Sequence, residues 1–144
     1  MLKRQTALIV DDDERLAATL ATALRGVGFE ARTARNGVYG YSSYFRKPTD
    51  WVVTDVEMAE LNGIDMMQCI RAINSAVKTI YMTGSADKYW AVLTQESREF
   101  GAEILRKPFA LNRLIDQMTD ERRLRSKSTT TNFTKKTASR ALSG

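Results

Sequence analysis

The sequence predicts an α/β protein: a five-stranded parallel sheet, doubly wound, with helices on both faces. Two observations carry that reading. Short apolar runs alternate with segments whose apolar residues recur at helical spacing, five times over in 144 residues, and such alternation builds a parallel sheet. No apolar run approaches the roughly 18 residues of a membrane span, so the runs are strands of one soluble core, and a chain of this length forms one domain.

Taken in order, ALIVD (7–11) reads as a fully buried strand. A helix follows from Glu14 to Gly26, with Leu16, Leu20, Ala23 and Leu24 on one face and Gly26 or Gly28 as its stop. FEARTA (29–34) is a second strand, polar enough for a place near the sheet edge. Asn36 to Arg46 is a weaker helix carrying Val38, Tyr41 and Phe45, and Pro48 ends it. WVVTD (51–55) is again a buried strand. The loop VEMAELNG leads to a helix over Ile64–Ile73, with Met67, Ile70 and Ile73 on one face. VKTIYMT (77–83) is the fourth strand, and Asp87–Phe100 the fourth helix, capped near Ser85–Asp87. EILRK (103–107) is the fifth strand. Pro108 follows, and a last helix starts near Ala110 with Leu111, Leu114, Ile115 and Met118.

Charge divides the chain. From Arg122 onward there are seven basic residues and no acidic one, whereas residues 1–121 carry 15 basic and 17 acidic residues. The composition therefore sets a domain over 1–121 and a basic, Ser/Thr-rich segment over 122–144 that is too poor in apolar residues to fold alone and is expected to be flexible. That segment is also too short for a DNA-binding domain; it reads as a solvated extension, with weak nucleic-acid, membrane-surface or acidic-partner binding as the alternatives. The N-terminus lacks the apolar stretch of a signal peptide. Cys69 is the single cysteine; it forms no internal disulfide, fits a cytoplasmic protein and reads as a small buried apolar side chain. Trp51 and Trp90 read as packing residues, with Trp90 and Tyr89 together as an alternative partner surface. Histidine is absent. That excludes His-based acid–base catalysis and His metal ligands, and leaves oxygen donors suited to Mg²⁺ or Ca²⁺.

What ends each apolar run matters most. The first strand ends in Asp11–Asp12, the third in Asp55, the fourth in Thr83 and the fifth in Lys107. In a parallel sheet these ends share one edge, where open α/β sheets place their ligands. Three carboxylates brought together there call for a cation. Mg²⁺ would relieve them while leaving room for a phosphate oxygen. A lysine and a hydroxyl beside it would hold the other phosphoryl oxygens, and one carboxylate could act as nucleophile. Asp13 and Glu14 are left to start the first helix.

At this point the chain resembles the receiver domains of two-component response regulators. The pieces that carry the resemblance are IVDDD (9–13), TDVEMAELNG (54–63), YMTGS (81–85) and RKPF (106–109), in that order and spacing over residues 5–121. The resemblance implies a flavodoxin-like strand order 2-1-3-4-5 and a stand-alone, single-domain receiver, a reading that an opening Met1 favours over a fragment of a longer regulator. It implies Asp55 as phosphoacceptor, and Mg²⁺ bound by Asp12 directly, by Asp11 through water, by Asp55 and by the backbone carbonyl of Glu57. Thr83 would hydrogen-bond the phosphoryl group and Lys107 would pair with it. The Lys107–Pro108 bond would be cis. The donor would be a sensor histidine kinase or a phosphotransfer protein. The output would be a change in protein–protein contacts, with a homodimer through the fourth and fifth helices compatible with it and neither membrane nor DNA-binding domain involved. Such a domain promotes its own phosphotransfer and dephosphorylation and is not otherwise an enzyme.

Three departures stand out. Ala59 replaces the proline usual in the loop after the acceptor. Ile104 stands where the family usually has an aromatic switch residue, so Tyr81 and Tyr89 become candidates for its part. Glu57, two residues after the acceptor, is placed to hinder an attacking water, which predicts slow loss of the phosphoryl group. Two other readings remain. Asp11 and Asp13 form a D-x-D, as in haloacid-dehalogenase-type phosphatases, although the later acidic pair of that superfamily is missing. A degenerate receiver acting as a scaffold is the third.

Overall fold

The computed structural model describes residues 3–128. Elements alternate throughout: β1 (Thr6–Val10), α1 (Glu14–Gly26), β2 (Glu30–Ala34), α2 (Gly37–Arg46), β3 (Trp51–Asp55), α3 (Gly63–Ile73), β4 (Lys78–Thr83), α4 (Ala86–Phe100), β5 (Glu103–Arg106) and α5 (Leu111–Ser128). The five strands form one parallel sheet in the order β2-β1-β3-β4-β5. Residues up to Phe109 make one compact unit, and α5 belongs to a second.

The order has a direct consequence. The chain steps one way from β1 to β2, then reverses past β1 to reach β3, β4 and β5. Right-handed crossovers therefore put α1 on one face and α2, α3 and α4 on the other. The core follows this division. Leu8, Val10, Val52 and Tyr81 pack with Tyr44 of α2, Met66, Met67 and Ile70 of α3 and Leu93 of α4. The alternate strand residues Ala7, Ile9, Val53, Ile80 and Met82 are also fully buried, as are Leu20 and Leu24 of α1. Each such large aliphatic side chain contributes roughly 1.5–3 kcal/mol by leaving water. β2, the polar strand, lies at the edge with its residues half-buried or exposed, as its composition predicts.

Helix starts follow their caps. The Asp13 side chain accepts from the Leu16 N–H at 3.1 Å, Asn36 from Tyr39 at 2.8 Å and Asn62 from Asp65 at 2.8 Å. α4 begins at Ala86, with Ser85 at the cap position but without a side-chain cap hydrogen bond. It ends at Gly101, whose φ of 72° is the left-handed conformation glycine tolerates.

Several details differ from the sequence expectations. On α2, Val38 and Phe45 are exposed; the helix buries Gly37, Gly40 and Tyr44 instead. A Cβ on Gly40 would lie 2.7 Å from Met66 Sδ and 3.0 Å from both γ carbons of Val10, so this helix packs through the absence of a side chain. Ile73, the last residue of α3, is exposed, and so is Cys69. α3 turns Gly63, Met66, Met67 and Ile70 inward, which leaves Cys69 on the outer face. The fifth strand ends at Arg106, and α5 continues to Ser128, into the basic segment from Arg122 onward. The rest of that segment, 129–144, lies outside the described residues.

Candidate functional site

The crevice lies at the C-terminal ends of β1 and β3, where the direction of the crossovers reverses. Asp11, one residue beyond β1, is fully buried, and Asp55, the last residue of β3, is 7% exposed. Asp12 is exposed. One carboxylate oxygen from each of Asp11, Asp12 and Asp55 lies within 4.8 Å of the others. Lys107, one residue beyond β5, reaches across. Its Nζ lies 2.9 Å from Asp11 Oδ2 and 3.3 Å from Asp55 Oδ1. Its backbone N–H donates to the Thr83 carbonyl at 2.8 Å, which seats the lysine beside the end of β4. The Lys107–Pro108 bond is cis.

Each acid has a distinct setting. Asp11 Oδ1 accepts the Asp13 N–H at 2.9 Å while Oδ2 takes Lys107, so both of its oxygens are engaged. The Asp55 carboxyl is pushed up to about 6, first by burial and then by the Asp11 charge; Lys107 pulls the other way and Asp12 adds to the rise. Burial alone would lower Lys107, but its hydrogen bond to Asp11 and the charges of Asp11 and Asp55 hold it above its ordinary value. Three acids facing one ammonium leave an excess of negative charge, which a hard divalent cation with oxygen ligands would neutralise. The donor set fits Mg²⁺.

The second half of the site is the loop after Asp55. Gly63 packs so closely on it that a Cβ would lie 2.1 Å from the Asp55 carbonyl oxygen. Glu60 takes φ 69°, a conformation costly for a residue with a side chain, so the loop is strongly bent without the family's proline. The Glu57 side chain turns to α4. It accepts from Ser85 Oγ at 3.2 Å, from Lys88 Nζ at 3.3 Å and from Tyr89 OH at 3.1 Å. The Tyr89, Lys88 and Ser85 hydrogen bonds hold its carboxyl below the usual range. The missing cap at Ser85 is thereby explained: the hydroxyl serves Glu57. Thr83 Oγ1, buried at the end of β4, accepts the Ser85 N–H at 2.9 Å.

Sequence reading located Asp11, Asp12, Asp55, Thr83 and Lys107 at this edge, and the three acids and the lysine do meet there. It missed the Glu57 side-chain contacts. The signal available was Lys88–Tyr89 one turn into a helix whose start lies on the same edge. Asp13 caps α1 and is not one of the clustered acids, so the D-x-D reading loses its second acid.

Fold and site together define a doubly wound α/β protein with an acidic, cation-fitting crevice closed by a lysine. The sequence model of the response regulator receiver domain matches residues 7–119. The DNA-binding response regulator MtrA of Mycolicibacterium paratuberculosis is 34% identical over 113 residues, 78% of this chain and 48% of that protein. The chain thus spans about half the length of such relatives. A receiver domain protein from Clostridium thermocellum superposes with a TM-score of 0.69 at 28% identity, covering 83% of this chain and 98% of that one. TrrA of Thermotoga maritima, a response regulator solved with Mg²⁺ and BeF, gives 0.69 at 26% identity, with 81% and 97% covered. The chain belongs to the response regulator receiver family, the phosphorylation-activated signalling switches of two-component systems. Among the described residues no helix is long and apolar enough to cross a membrane.

Proposed function

We propose that Asp55 accepts a phosphoryl group from the phosphohistidine of a sensor kinase or phosphotransfer protein. The observation that carries this is the placement of Asp55 within 4.8 Å of Asp11 and Asp12 and 3.3 Å from Lys107 Nζ. An Asp55 oxygen forms the new bond to phosphorus as the bond from phosphorus to the donor's imidazole nitrogen breaks, and that nitrogen keeps the electron pair. Lys107 offsets the charge on the transferred group, and the Thr83 hydroxyl donates to one of its oxygens. Asp12 and Asp55 would hold Mg²⁺ with the Glu57 carbonyl, and Asp11, its oxygens already engaged, would act through water. Bound Mg²⁺ would supply charge neutralisation at the phosphoryl oxygens. The receiver would span residues 1–121, act in the cytoplasm and signal by altered protein contacts.

Incubation with Mg²⁺ and acetyl phosphate, followed by intact mass measurement, tests this. A phosphoryl adduct is expected in the wild type and absent in Asp55→Asn. An adduct that persists in Asp55→Asn would sink the assignment, and no adduct from either acetyl phosphate or a phosphohistidine donor would favour the scaffold.

A further inference from the structure

A buried ion pair lies away from the crevice. Arg71 of α3 and Glu96 of α4 pair directly, each side chain 6% exposed. Tyr81 of β4, fully buried, donates its hydroxyl to Glu96 Oε1 at 2.5 Å and accepts from Arg71 at 3.2 Å. The Arg71 guanidinium also lies 3.8 Å above the Phe100 ring. Burial and then the Glu96 hydrogen bond push the Tyr81 hydroxyl strongly up, so it stays a donor. Burying two charges costs about as much as their attraction returns, so such a pair is better understood as fixing a geometry than as adding stability. The geometry fixed is the seat of the second half of α4, where Glu96 and Phe100 lie, against α3 and β4.

The first turn of α4 is held otherwise. Ser85, Lys88 and Tyr89 meet Glu57 at an exposed position, with the Lys88 side chain 66% and the Glu57 side chain 45% exposed. Exposed contacts of this kind are weak. They connect to the chemistry, however. Glu57 is two residues from Asp55, and Ser85 is bonded to Thr83. One end of α4 is thus loosely tied to the phosphoacceptor loop, and the other is locked by a closed triad. Tyr81 is also the register partner of Ile104, where the expected aromatic is missing.

We propose that Arg71, Glu96 and Tyr81 form a fixed pivot. Modification of Asp55 rearranges the Glu57 contacts and moves the first two turns of α4, while the triad holds the rest in place. The moving segment carries Tyr89 and the half-exposed Trp90, so the surface offered to a partner is remodelled locally. The inference rests on Asp55 being the phosphoacceptor.

Hydrogen exchange of the full chain, with and without Mg²⁺ and acetyl phosphate, tests it, with intact mass measured on the same samples. In the wild type, exchange over 86–92 should change by about tenfold on phosphorylation while 93–100 changes less than about twofold. In Tyr81→Phe, and in the double variant Arg71→Met/Glu96→Met, the change should spread to 93–100. Tyr81→Phe removes one hydroxyl and carries the test alone if the double variant does not fold. An adduct with equal changes over both halves in the wild type, or with a variant pattern matching the wild type, overturns the pivot and leaves Asp55 standing. No adduct in the wild type overturns both.

Discussion

Asp55 carries a proton more tightly in the fold than in the unfolded chain, about 6 against an ordinary 3.8. The folded state therefore gains stability as pH falls through that window and loses it as pH rises. The full penalty is present above about pH 6 and amounts to at most about 3 kcal/mol. In metal-free buffer Asp55→Asn should be more stable than the wild type at pH 7.5, with the advantage fading toward pH 4. Urea denaturation across that range checks this, and a difference independent of pH would contradict it. For Glu57 the sequence suggested obstruction of an attacking water, and the structure shows a carboxylate restrained by three donors. Glu57→Ala should shorten the aspartyl phosphate lifetime a few-fold; a longer lifetime would refute the idea. The site acids were legible because each punctuates an apolar run. Cys69 was misread because composition favours burial, whereas its helical position beside inward-facing Met67 and Ile70 already placed it outside.

At the scale of elements, the strands were readable almost to the residue because β1 and β3 are buried along nearly their whole length and are apolar except near their ends. α2 was harder. Its apolar residues suggested one face, but Gly37 and Gly40 bring the backbone close and turn Val38 and Phe45 to the surface. The buried triad on α3, β4 and α4 left only a faint trace, Glu96 three residues after the core residue Leu93. α3 also begins under constraint. Gly63→Ala would force a methyl to within 2.1 Å of the Asp55 carbonyl, so the loop must shift. A destabilisation of about 1–3 kcal/mol is expected from such overpacking, together with slower adduct formation. Chemical denaturation and acetyl phosphate kinetics measure the two effects, and a variant unchanged in both would show that the loop yields freely.

For the molecule as a whole, cation binding and folding are linked. The clustered acids exist only when β1 and β3 are paired, so a cation held there stabilises the native state by mass action, by roughly 2.7 kcal/mol at about 100-fold above its Kd. Mg²⁺ should raise the Tm by several degrees, and Asp12→Asn should need more Mg²⁺ for the same rise. A Tm indifferent to Mg²⁺ would remove the metal from this site. The strand order and the crevice at its reversal point were implied by the alternation of elements together with the family resemblance. The extent of α5 was not, because charge composition marks solubility rather than where a helix stops.

The outward-facing thiol of α3 has a practical consequence. With one cysteine in the chain and that one exposed, a maleimide dye or a spin label attaches at a single known point without any mutation. The label would ride on α3, the helix that bears Arg71, while Trp90 on α4 supplies an intrinsic fluorophore once the other tryptophan, Trp51 of β3, is replaced. That one substitution turns the protein into its own two-colour gauge of whether those helices part when the signal arrives.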